Sequence, residues 1–283
     1  MKTHIRFSIL IVAAVMAASG RARDFGILFI SVTLHELAHV LVAKLYGGRV
    51  ESVSFSIMGE IAVIRGLTHI RAARRMLIYL AGPAANALIA PLMALFAVVF
   101  PASREIFNQI SVYNLALCLF NLLPVFPLDG GRLAQIIAGN RAGALRANRF
   151  IILAGGVIAV TLMIIGAVQV ILFPYNISLI CAGVYILRVN KKSKAALTYE
   201  FFRVMFERGA RLEAAGILPV KLLAAGADCP LGEIVRRFGW DNLTCVMPGG
   251  ETERMLTETQ LARYIMEYGL CGTVGEAAGK IKI

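Results

Sequence analysis

The stretch FGILFISVTLHELAHVLVAKL, Phe25 to Leu45, places His35, Glu36 and His39 in the middle of an apolar run long enough to cross a bilayer. About 20 apolar residues carry a helix through the hydrocarbon. A charged group at the centre of such a helix costs roughly 2.5–3.5 kcal/mol, so ionisable residues there are read as functional. On a helix, positions i and i+4 share a face. His35 and His39 can therefore offer both imidazoles to one metal ion, with Glu36 beside them to take a proton from water held on that ion. One histidine on an apolar face is ordinarily a satisfied core residue. That explanation does not cover two histidines at a spacing of four with a glutamate between them.

A catalytic zinc keeps three protein ligands and an open position for water. The other two histidines, His4 at the N-terminus and His69 in a basic loop, are poor choices for the third ligand. Among the four aspartates, Asp129 follows an apolar run in the sequence Asn121-Leu-Leu-Pro124-Val-Phe-Pro127-Leu-Asp129-Gly130-Gly131. The prolines break the helix and the glycines let the backbone turn tightly, which can carry a carboxylate back toward a metal inside the protein. Alone, such an aspartate is more often a helix cap. Its company with the histidine pair argues for the ligand role.

The rest of the chain fits a membrane setting. Of its 283 residues 58% are hydrophobic and 16% charged, where a soluble domain has about 25% charged. We read six membrane segments, at roughly 5–18, 25–45, 76–100, 110–125, 153–173 and 177–187. The first is laid out like a cleaved signal peptide, but a retained helix is the favoured reading because it keeps the number of spans even. Residues 49–65 alternate Val, Ser, Phe and Ile around Gly59 and read as a short β-hairpin, tolerable at membrane depth only where protein covers it or it lines a cavity. With the N-terminus inside, the cytoplasmic segments carry sixteen Lys and Arg, and the other side carries only Arg21, Arg23 and Arg104. That asymmetry places both termini in the cytoplasm. The net charge of +12 is thereby accounted for at the bilayer surface, and a nucleic-acid partner is not expected. The five cysteines form no C-x-x-C pair and read as reduced structural residues.

Three regions follow. Residues 1–190 form a membrane metal-site domain, 191–215 a basic linker or interfacial amphipathic helix, and 216–283 a small α+β module. In the module, Pro230 starts a helix burying Leu231, Ile234, Val235 and Phe238. A strand is expected near 243–246, and Thr257 with Gln260 forms a capping box for a last helix through Tyr268. The fold class is thus an α-helical polytopic membrane protein, six transmembrane helices with a re-entrant hairpin, plus a cytoplasmic α+β module.

The motifs His35-Glu36-Leu37-Ala38-His39, Ala81-Gly82-Pro83-Ala84-Ala85-Asn86 and Asn121-x-x-Pro124-x-x-Pro127-x-Asp129-Gly130, in that order on successive spans, resemble the signatures of the site-2 protease family of intramembrane zinc metalloproteases. The resemblance covers about residues 25–140, and the six-span plan with a short C-terminal domain is similar to the sporulation-type members. It implies Zn²⁺ held by His35, His39 and Asp129, Glu36 as general base, and Asn121 and Pro124 near the substrate. The hairpin at Gly59 would be the re-entrant loop that offers an edge to an extended peptide. Gly82-Pro83 is read as packing. The sporulation-type likeness further implies a membrane-associated sigma-factor precursor as substrate and membrane-bound inhibitory partners. The C-terminal module is faintly similar to half of a CBS nucleotide-sensing domain, so ATP binding is an analogy, and a homo-oligomer stays open. The other classes compatible with the ligands are a zinc transporter and a non-catalytic scaffold. Both leave Glu36 without a role.

Overall fold

The computed structural model describes residues 2–5, 16–56, 59–65, 70–172, 177–215, 217, 219–239, 242–250 and 255–281. They form two compact units, one of residues 1–123 with 128–130 and one of residues 124–127 with 131–283.

The first unit is built on three helices, α1 (Ala22–Leu45), α2 (Ala72–Val99) and α3 (Arg104–Asn121). Polar side chains in an apolar setting find partners on the neighbouring helix, because no solvent is at hand. Ser111 Oγ donates to the Ala90 carbonyl at 2.8 Å, tying α3 to α2. Asn114 Nδ2 donates to Ser31 Oγ at 3.0 Å, tying α3 to α1. Toward the start of α1, Gln109 donates to Asp24, and Arg23 pairs with Glu105 at 2.7 Å. Residues 49–65 contain two antiparallel strands, β2 (Arg49–Ser56) and β3 (Gly59–Arg65). A further strand that the periodicity does not announce, β1 (Lys2–Ile5), pairs parallel with Ser52–Phe55. Most of the expected first span, 6–15, lies outside the described residues.

Helix α4 (Asp129–Ala142) has its first two residues in the first unit and the rest in the second, which also holds α5 (Ala144–Leu172) and α6 (Ser178–Ala215). Where the sequence suggests a short span to 187 and a separate linker from 191, α6 runs unbroken through both. No proline interrupts it, and Leu197, Phe201 and Met205, four residues apart, are all buried. Leu197 packs with Phe126 and Ile151, and Phe201 and Met205 enter the core of the C-terminal module. The apolar face expected to meet lipid or solvent is covered by protein instead.

That module has a sheet of order β4-β5-β6, with β4 (Val220–Ala225) parallel to β5 (Leu243–Pro248) and β5 antiparallel to β6 (Leu256–Thr257). Pro230 precedes α7 (Leu231–Val235), and Leu231, Ile234, Val235 and Phe238 are buried as their spacing requires. The Thr257–Gln260 capping box opens α8 (Glu258–Tyr268). A second box, Thr273 with Glu276, opens α9 (Val274–Lys280).

Among the described residues three helices, α1, α2 and α5, are long and apolar enough to cross a membrane. The fourth expected run lies on α3, whose 18 residues include Arg104, Glu105 and Gln109, and the sixth is only the first part of α6.

Candidate metal centre

Helical spacing puts His35 and His39 one above the other on α1, and both are buried. The turn after α3 returns the chain so that Asp129, first residue of α4, faces them. Asp129 Oδ2 lies 3.1 Å from His35 Nε2 and 3.1 Å from His39 Nε2, and the two Nε2 atoms are themselves 3.1 Å apart. Three such atoms at mutual hydrogen-bond distance cannot all be matched by protons, because neutral imidazoles bring at most one hydrogen to each Nε2.

The opposite ring nitrogens bear on which role the Nε2 atoms play. His39 Nδ1 lies 2.6 Å from the Ile78 carbonyl, an acceptor only, so Nδ1 carries the hydrogen. His35 Nδ1 lies 3.2 Å from Asn86 Oδ1, with the same consequence. With neutral rings this arrangement leaves both Nε2 atoms as lone pairs facing inward, the tautomer that metal-ligating histidines hold through a hydrogen bond on the far side of the ring. Ligand atoms about 2.0–2.1 Å from one zinc at tetrahedral angles stand about 3.3 Å apart, close to the observed edges. Two nitrogens and a carboxylate oxygen are also the donor set a zinc ion accepts. Glu36 is half-buried, and its carboxylate and the two imidazoles offer ligand atoms within 4.8 Å of one another.

Two residues of the 81–86 motif matter more than the sequence pattern implies. A Cβ added to Gly82 would land on the Nε2 atoms of both His39 and His35. Only glycine lets α2 come so near the two imidazoles, so it leaves room at the donor atoms as well as packing. Asn86 is fully buried and orients His35. Its signal is a lone polar residue on an apolar helix, the kind of group that intramembrane burial makes costly unless it has a task.

The residues expected near a substrate are placed less closely. Asn121 Nδ2 donates to the Leu117 carbonyl of its own helix at 3.0 Å. Pro124 sits half-buried in the turn between α3 and α4, among the residues of the second unit. Gly59 opens β3, paired with Ser56.

Two histidines on an apolar helix of spanning length, with a carboxylate converging on them, form an arrangement able to hold a metal ion. The family model described as Peptidase M50B-like matches residues 7–128, and that of Peptidase family M50 matches residues 101–165. A site-2 protease structure from Methanocaldococcus jannaschii aligns with a TM-score of 0.55 and 25% identity, covering 68% of this chain and 90% of that one. Together these matches make residues 7–165 similar to peptidase family M50, the site-2 proteases, a family of intramembrane metalloproteases. A zinc metalloprotease of the same archaeon is 30% identical over 165 residues, 57% of this chain and 46% of that protein. Stage IV sporulation protein FB of Bacillus subtilis is 25% identical over 149 residues, 53% of this chain and 52% of that protein. The chain spans about half the length of these curated relatives.

Proposed function

We propose that the chain is a zinc-dependent intramembrane endopeptidase in which His35, His39 and Asp129 hold the metal and Glu36 is the general base. The observation that carries this reading is the 3.1 Å triangle of two Nε2 atoms and one carboxylate oxygen, with the two Nδ1 atoms against the Ile78 carbonyl and Asn86 Oδ1. Zinc bound there would supply a Lewis acid that acidifies water and polarises a peptide carbonyl. Glu36 accepts the proton of the attacking water as its oxygen bonds to the scissile carbonyl carbon. The carbon–nitrogen bond then breaks, and Glu36 returns the proton to the departing amine. Asn86 and Ile78 keep the imidazoles in register throughout, and Gly82 leaves the space open.

The substrate class in this reading is a membrane-associated protein, locally unwound so that its carbonyl is free of helical hydrogen bonds. Strand addition at the β2–β3 hairpin around Gly59 supports such unwinding, with Asn121 and Pro124 close to the extended segment. The basic bias of the loops supports six spans with both termini in the cytoplasm. Similarity to the sporulation protein is the basis for proposing a sigma-factor precursor cut on the cytoplasmic side, under membrane-bound inhibitors. ATP at the CBS-like C-terminal module and self-association are the finer parts of the same proposal.

The test is co-expression of a candidate precursor with wild type or Glu36→Gln, read by immunoblot, with zinc content measured on the purified proteins. Glu36→Gln should keep its zinc and lose cleavage by roughly 10²–10⁴-fold, the usual contribution of a general base. Cleavage that persists in that variant would remove the base from the mechanism. Silence from both, with zinc present, would transfer the search to another substrate, using Glu36→Gln as a trap.

A further inference from the structure

Helix α4 has Asp129 at one end and the C-terminal module at the other. Its last turn ends at Gly143, where the backbone takes φ +95° before α5 begins. A side chain at Gly143 would run into the Arg236 carbonyl of the module. Ala144 N donates to the Phe238 carbonyl at 2.8 Å. Ala144 is wholly buried in the same core as Val235, Phe238, Phe201 and Met205, with Leu145 packed at its edge. The next module residue, Gly239, lies against the final turn of α4, where an added Cβ would stand 3.7 Å from the Gly139 carbonyl and 3.8 Å from Asn140 Oδ1. The 236–239 segment thus grips the elbow between α4 and α5 through backbone contacts that only a glycine at 143 permits.

An α-helix of 14 residues is a rod of about 21 Å, stiff along its axis because every interior turn is hydrogen-bonded. A shift at its C-terminal elbow is passed to its first residue. That residue must keep one oxygen within about 0.2 Å of a ligand position for a metal to stay bound. We propose that Gly143 is a positioning residue for Asp129: the grip of the C-terminal module on the α4–α5 elbow sets the reach of the aspartate, so that metal occupancy and the seating of the module are coupled. This rests on the zinc reading of His35, His39 and Asp129. Coupling of this kind is reciprocal, so metal binding must be felt at the elbow as strongly as the elbow is felt at the metal.

The chain carries its own reporter, since its one tryptophan, Trp240, follows Gly239 in sequence. The experiment takes the full-length protein in detergent, stripped of metal and titrated with zinc, with bound zinc measured by atomic absorption and Trp240 emission recorded at each step. Emission should change in parallel with occupancy, and Asp129→Asn should remove the change. Gly143→Val should weaken zinc binding by roughly ten- to a hundredfold, the range for loss of a supporting contact behind a ligand. The control is Gly269→Ala, at φ +84° with nothing within 4 Å, which imposes the same backbone conflict without a contact and should leave affinity unchanged. Stoichiometric zinc binding with unmoved emission would overturn the coupling, as would a folded Gly143→Val protein of wild-type affinity. Failure of the wild type to bind zinc at all would instead sink the reading of the site, and the coupling with it. The wild-type emission titration stands even where Gly143→Val does not fold.

Discussion

Helices α1 and α8 obey the same geometry and are built inside out relative to each other. α1 buries Ser31, His35, His39, Val40 and Ala43, and turns Ile30, Leu34, Leu37 and Leu41 outward. α8 buries Leu261, Ala262, Tyr264 and Ile265 along with Glu258 of its first turn, and turns Arg263 and Glu267 outward. In water the apolar face must hide, so burial on α8 reports packing. Against lipid there is no such penalty for an outward leucine, and a helix hides what lipid cannot solvate. Burial on α1 therefore includes the polar residues Ser31, His35 and His39 beside Val40 and Ala43.

Leucine-to-alanine changes give the widest contrast. Leu261 is fully buried, and Leu261→Ala should destabilise the C-terminal module by about 2–5 kcal/mol, read by thermal melting. Leu41 is 54% exposed, and Leu41→Ala should move nothing measurable. Next comes a carboxylate on the outward faces. Ile30→Asp near the middle of α1 should cost about 2.5–3.5 kcal/mol of insertion if that face meets lipid, seen as protein released by carbonate extraction. Met266→Asp, on the equally exposed face of α8, should stay within about 0.5 kcal/mol, as surface substitutions do. Equal tolerance of both would mean that the outward face of α1 does not meet hydrocarbon.

The same contrast decides how much of the molecule is legible in its sequence. The His35–Glu36–His39 triplet is legible because helical spacing is enough to bring i and i+4 together, and the Thr257 cap because a capping box is local. Asp129 stands out by elimination among four aspartates and by the broken helix before it. Asn86 belongs to a visible motif but shows no task there, since a hydrogen bond across 51 residues leaves no local trace. The elbow at Gly143 is hidden for the same reason: one glycine between two helices does not announce the Phe238 carbonyl that meets its neighbour. The continuity of α6 through residue 190 is masked by a change from apolar to basic composition, which marks a change of surroundings and says nothing about where a helix ends. β1 rests on pairing with a strand about fifty residues away, and only tertiary contact specifies it.

The smallest of the expected losses falls on Asn86 and tests the polar interior of the first unit most closely. Its Oδ1 faces His35 Nδ1 at 3.2 Å, and the residue has no exposed surface. Asn86→Leu keeps the volume and removes the acceptor. His35 can then take the other tautomer, with its hydrogen on Nε2 where a metal needs a lone pair. Supporting groups of this kind are worth ten- to a hundredfold in metal affinity, about 1.4–2.8 kcal/mol, so a chelator competition should resolve the loss. Asn86→Asp retains an oxygen acceptor and should keep more affinity than Asn86→Leu, although a packing role alone would rank the two the other way, since the buried carboxylate is the harsher change. The order of these two variants separates an orienting hydrogen bond from a filled space.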